Sequence, residues 1–74
     1  MKRVAITGAG GFVGRALCHS LSTEGMEIIA VIRSGDIPQG ASETHRIGDI
    51  TDRAGLRAAF EGVDAVVHLA GRAH

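Results

Sequence analysis

Seventy-four residues, 45% apolar and 22% charged, make a globular rather than a disordered chain, though one that buries only roughly 60% of its unfolded surface. Eight basic and eight acidic side chains cancel, and with two Phe, no Tyr and no Trp the chain lacks both the basic footprint and the stacking platforms of a nucleic-acid binder. Cys18 is the single cysteine, so it offers neither an internal disulfide nor a cysteine pair for a metal. No apolar stretch approaches the ~20 residues of a membrane span. The start, Met1-Lys2-Arg3, imitates a signal n-region, but Thr7 and the glycines break the apolar run behind it. These features predict a soluble, cytoplasmic protein with no metal and no membrane or nucleic-acid partner.

In chain order, Arg3 to Thr7 reads as a strand whose apolar centre suits burial on both faces. From Phe12 to Glu24 the spacing turns helical, with Val13, Leu17 and Leu21 on one stripe and Arg15, His19 and Ser22 opposite. Gly25 stands where a helix-ending glycine belongs. Glu27 to Ile32 is rich in β-branched residues and predicts a second buried strand. Residues 33–43, with Gly35, Pro38 and Gly40, read as a loop too short for a helix. Thr44 to Ile47 is a third strand. Asp52 to Glu61 is a second helix, capped by Thr51 or Asp52, with Leu56, Ala59 and Phe60 facing inward and Gly62 ending it. Asp64 to Ala70 is a fourth strand. The alternation predicts an α/β, Rossmann-type parallel sheet in the order 3-2-1-4, with helices on both faces.

Between the first strand and the first helix lies Thr7-Gly8-Ala9-Gly10-Gly11-Phe12-Val13-Gly14. Gly8, Gly11 and Gly14 give a G-x-x-G-x-x-G spacing in the strand–turn–helix context that a phosphate cradle requires. Helix N-termini present unpartnered N–H groups and partial positive charge, and glycines let the backbone close on a pyrophosphate. A P-loop is excluded, because Gly14 is followed by Arg15-Ala16 and the one lysine, Lys2, precedes the first strand. His68 lies within an apolar strand and reads as a packed or hydrogen-bonded core residue. Cys18 and His19 are neighbours in sequence that point apart, without a second pair to complete a metal site.

The glycine stretch resembles the fingerprint of the extended short-chain dehydrogenase/reductases, the NAD-dependent epimerases and dehydratases. Gly48-Asp49-Ile50-Thr51-Asp52 is similar to the family's segment after strand 3, and Asp64-Ala65-Val66-Val67-His68-Leu69-Ala70-Gly71 is similar to its strand 4. The extension Arg72-Ala73-His74 resembles bacterial UDP-sugar 4-epimerases. The resemblance implies that Gly8, Gly11, Phe12, Val13 and Gly14 hold the pyrophosphate of NAD or NADP. It implies that Asp49, with Ile50, meets the adenine, and that Leu69, Ala70 and Gly71 run beside the cofactor. It covers nearly the whole chain but only the N-terminal part of a family member.

Strand 2 ends Val31-Ile32-Arg33-Ser34, where an NAD site places Asp or Glu about 20 residues past the glycines. Arg33 fits a 2′-phosphate, with Ser34 assisting, and this tilts the reading toward NADP. An arginine that stacks on the adenine or stays in solvent is the alternative, and Asp36 could swing back to the ribose diol. The resemblance also implies hydride transfer at a sugar carbon, with a Tyr-x-x-x-Lys pair supplying the base. The chain has no tyrosine, so no catalytic residue is assigned in it. Residues 1–74 are therefore expected to be the cofactor-binding beginning of a nucleotide-sugar epimerase or dehydratase and inactive alone, the substrate being bound only by the longer protein. An NADPH reductase of the same superfamily and a non-catalytic redox-sensing module are the alternatives. Strand 4 is expected to present an open apolar edge, through which residues 65–70 would self-associate.

Overall fold

A computed structural model describes residues 2–48 and 51–69. Its elements are β1 (Arg3–Thr7), α1 (Phe12–Thr23), β2 (Glu27–Ile32), β3 (Glu43–Arg46), α2 (Arg53–Phe60) and β4 (Ala65–His68). The four strands form one sheet in the order β3-β2-β1-β4, and every pairing is parallel. This is the predicted Rossmann-type order. Ile29 opposite Glu43 starts β3 one residue earlier than the sequence suggests, and Ile47 leaves the strand as a buried residue whose N–H bonds the Ile32 carbonyl at 2.8 Å.

The apolar residues of the two central strands divide cleanly between the sheet's faces, as the period-2 alternation of a strand requires. Val4, Ile6, Ile28, Ala30 and Ile32 face α1 and pack with Cys18, Leu17 and Leu21. Ala5, Ile29 and Val31 face α2 and pack with Ala59, Leu56 and Phe60. The three inward residues expected of α2 are thus the ones that pack. Each buried isoleucine contributes about 1.5–3 kcal/mol, so Ile6, Ile28, Ile29 and Ile32 carry much of the fold.

The inward stripe of α1 differs from the expected one. Val13 is 62% exposed, and the buried positions of the helix are Gly14 and Cys18. A glycine is chosen on that face because the helix start lies directly against the β1–α1 turn. A Cβ on Gly14 would fall on the Gly8 carbonyl oxygen and 2.7 Å from Ala9 Cα. Val13, one residue earlier, is turned away by about 100° of helix and finds no sheet beneath it.

Residues 33–42 cross from β2 to β3 without a helix and take a helix's place on the α1 face. Pro38 is buried, Ala41 packs into the same cluster, and a Cβ on Gly40 would stand 3.1 Å from the Cys18 carbonyl. At the opposite end of the sheet, Arg3 Nη1 donates to Glu27 Oε2 at 2.6 Å, and Arg3 Nη2 lies 3.8 Å from Glu43 Oε1. His45 Nε2 is 3.6 Å from the same Glu43 oxygen. Half-exposed pairs of this kind are worth up to about 1 kcal/mol each.

Candidate functional site

The carboxyl ends of β1 and β4 lie side by side where the strand order reverses, the position at which open α/β sheets bind ligands. Chemistry here begins with Thr7. It is fully buried, and its Oγ1 accepts the Leu69 N–H at 3.0 Å and lies 2.8 Å from His68 Nδ1. The Thr7 carbonyl accepts the same Leu69 N–H at 3.2 Å. One side chain therefore ties the last residue of β1 to the end of β4. His68 is hydrogen-bonded, as expected, but it stands exposed on the edge strand and is not a core residue. Among the described strands β4 has β1 as its one neighbour.

The chain then turns at Gly8, whose φ of +69° is a conformation L side chains rarely adopt. Ala9, buried, bonds the Val31 carbonyl through its N–H at 3.1 Å, which seats the turn on the end of β2. Gly11 is the N-cap of α1 and makes no side-chain cap; the first turn carries no acidic residue. Arg15 N–H, bonded to the Gly11 carbonyl at 2.9 Å, closes the first turn, so the N–H groups of Phe12, Val13 and Gly14 precede the helix ladder. A Cβ on Gly11 would meet only the Gly8 carbonyl, at 3.5 Å. Crowding within the described residues thus does not require a glycine at this position. An uncapped, acid-free helix N-terminus reached over a bare glycine fits an anionic ligand, and the residues present suit a pyrophosphate.

The structure brings Gly8, Gly11, Phe12, Val13, Gly14 and Leu69 to this one end of the sheet. Phe12 (91% exposed) and Val13 offer backbone rather than buried side chains. Arg33 follows β2 and is exposed, with no hydrogen bond or ion pair among the described residues. Asp49, Ile50, Ala70 and Gly71 lie outside the described residues. Sequence reasoning passed over three contributors. Thr7 ends the first strand and opens the glycine stretch in the sequence reading, with no role given to its hydroxyl. Arg46 Nη1 donates to the Gly35 carbonyl at 2.7 Å, and Arg15 Nη1 lies 3.5 Å from the Asp36 carbonyl, so both reach the segment that carries Arg33. No local pattern signals this, because the parallel register is what sets Arg46 opposite Ile32. Among the described residues no group of three or more His, Cys, Asp or Glu could hold a metal.

Residues 4–74 match the NAD dependent epimerase/dehydratase family. The chain belongs to this family. It is 36% identical over 72 residues to 2-alkyl-3-oxoalkanoate reductase of Stenotrophomonas maltophilia, which covers 96% of this chain and 22% of the relative. Among solved structures, a tyrosine-to-alanine variant of uronate dehydrogenase from Agrobacterium tumefaciens, complexed with NAD, superposes with a TM-score of 0.82 at 31% identity. That match covers 99% of this chain and 28% of the dehydrogenase. A UDP-glucose 4-epimerase superposes with a TM-score of 0.79 at 30% identity, covering 99% of this chain and 24% of the epimerase. The chain thus spans about a quarter of the length of these family members. No helix among the described residues is long and apolar enough to cross a membrane.

Proposed function

We propose that residues 1–74 form the dinucleotide-binding part of an NAD(P)-dependent enzyme that moves a hydride at a sugar carbon of a nucleotide-sugar substrate. The observation that carries this reading is the uncapped start of α1 above the Gly8–Gly11 turn. In it the N–H groups of Phe12, Val13 and Gly14 hold the pyrophosphate and Gly8 and Gly11 let it approach. Asp49 and Ile50 take the adenine, and Leu69, Ala70 and Gly71 line the cofactor's other side. Bound NAD(P) supplies the hydride acceptor; this chain's part is to bind and orient it. With no tyrosine in the chain, the proton-transferring base and the substrate pocket belong to residues outside these 74, and the chain alone is inactive.

An NADPH-dependent reductase of the same family is the second reading. It is favoured by Arg33 standing where NAD-preferring sites carry an acid, and by the similarity to a reductase.

Calorimetric titration of NAD+ and NADP+ into the chain tests the cradle. Gly11→Val is the decisive variant, because the protein leaves room for its Cβ while a bound phosphate would not. It is expected to keep the circular dichroism spectrum and to lose at least about tenfold in affinity for both dinucleotides. Unchanged affinity would sink the cradle.

A further inference from the structure

Phe12 is the most exposed large apolar side chain among the described residues, at 91%, and Val13 beside it is 62% exposed. The chain's other phenylalanine, Phe60, packs against the cluster on the α2 face of the sheet. A phenyl left in water forgoes the favourable transfer that burial of apolar surface brings. Its place at the start of α1 offers no compensation, since phenylalanine is among the weaker helix formers and has no acceptor for the open N–H groups. Neither packing nor helix propensity accounts for a phenyl at this position.

The direction of the side chain supplies an account. In a helix each Cα–Cβ bond tilts toward the N-terminus, so a side chain covers the turn that precedes its own Cα. Phe12 is the first residue of α1, and no helical turn precedes it. The bond to its ring therefore leads forward, past the helix end, toward the glycine turn. Nothing in that turn fills the space ahead: Gly8, Gly10 and Gly11 lack side chains, and Ala9 is buried. The same space lies before the N–H groups of Phe12, Val13 and Gly14, where an anion is favoured. A phenyl suits the border of such an anion, because its ring edge is the positive end of the aromatic quadrupole. An apolar cover also strengthens the hydrogen bonds beneath it by lowering the local dielectric.

We propose that the side chain of Phe12 is the cover of the bound diphosphate. The glycines and the first N–H groups of α1 form the floor, and the phenyl closes over the anion and keeps water from those bonds. This rests on the glycine turn being a dinucleotide cradle. One residue then serves the anion twice, through its backbone N–H and through its ring. The diphosphate is common to NAD, NADP and ADP, so the cover acts alike on all three.

The test is calorimetric titration of NAD+, NADP+ and ADP into the parent, Phe12→Ala and Phe12→Leu, with the circular dichroism spectrum as the check on folding. The replaced side chain is exposed, so the spectrum should not change. Phe12→Ala should weaken all three ligands by about tenfold. Phe12→Leu, which keeps apolar bulk without the ring edge, should lose less. Phe12→Trp gives a second readout, because the chain contains no other tryptophan. Its emission should move to shorter wavelength, and its quenching by acrylamide should fall, when NAD+ or ADP is added. Equal affinities for the parent and Phe12→Ala, or emission that stays put while ligand binds, would overturn the cover and leave the cradle in place. A loss confined to NAD+ and NADP+ would put the ring on the nicotinamide half and overturn it too. So would short-wavelength emission that grows with protein concentration in the absence of ligand, which marks a second copy as the occupant. No binding of any of the three by the parent would overturn the cradle itself.

Discussion

At the scale of single residues, Cys18 shows how burial governs chemistry. Its side chain is fully covered by the α1 face of the sheet, and this burial pushes the thiol above its ordinary pKa, with Arg15 pulling weakly the other way. The neutral thiol is the form the fold accommodates. Its contribution to stability is complete below the unfolded thiol pKa, roughly 8.5, and is lost as pH rises through the higher folded value. Denaturation midpoints of the parent should therefore fall more between neutral and strongly alkaline pH than those of Cys18→Ala. Iodoacetamide should label Cys18 slowly until denaturant is added; rapid labelling of the folded chain would contradict the burial. Gly14, Arg15 and Arg46 show where residue-level reading of the sequence reaches its limit. A hydrophobic stripe gives weight to Val13 and none to Gly14, yet Gly14 is the residue in contact, because closeness and not apolarity was needed there. The bond from Arg46 to the Gly35 carbonyl is invisible locally because only the register of β3 on β2 brings the two together.

At the scale of elements, local signals were sufficient wherever an element's limits are set by its own residues. β1, β2 and the start of α1 fall where the sequence places them, since apolar runs and flanking glycines decide them. β3 shifted by one residue, and the described part of β4 is shorter than the apolar stretch suggests, because the neighbouring strand sets those limits. The two helices differ in how they begin. α2 is capped by Asp52, whose Oδ1 accepts the Gly55 N–H at 3.0 Å, whereas α1 has no side-chain cap. A helix of eight residues depends on such a cap. Asp52→Ala should cost about 1 kcal/mol, read as a lower midpoint in urea with an unchanged slope. An equal stability would mean that packing of Leu56, Ala59 and Phe60 alone holds α2.

At the scale of the whole molecule, the sheet's two outer strands are unlike each other. β3 carries Glu43, His45 and Arg46, the kind of charged edge that discourages further pairing. β4 is Ala-Val-Val-His, without Lys, Pro or an acid, and Val66 is 43% exposed. That edge is expected to add strands, which for this chain alone means a second copy. Sedimentation of the 74-residue chain should show concentration-dependent association that Val66→Lys reduces. A monodisperse parent at high concentration would refute it. The apolar triplet Ala65-Val66-Val67 already marks this edge in the sequence, while the charge on the other edge took on meaning only once β3 was placed.

The position of β1 has one more consequence, for the order of events in synthesis. The first of these four strands to be made ends at the middle of the sheet, between β2 and β4. Its partner on one side follows within two dozen residues, but Thr7 meets His68 across a separation of 61 residues. Until β4 emerges, a nascent chain carries the bare backbone edge of Val4-Ala5-Ile6 and an unfinished site, since the Thr7 hydroxyl lacks the Leu69 N–H that it holds in the folded protein. Closing contacts of such long range is slow and leaves apolar edges open to other chains. Of the four strands described, the one that launches the glycine turn is thus the first made and the last completed.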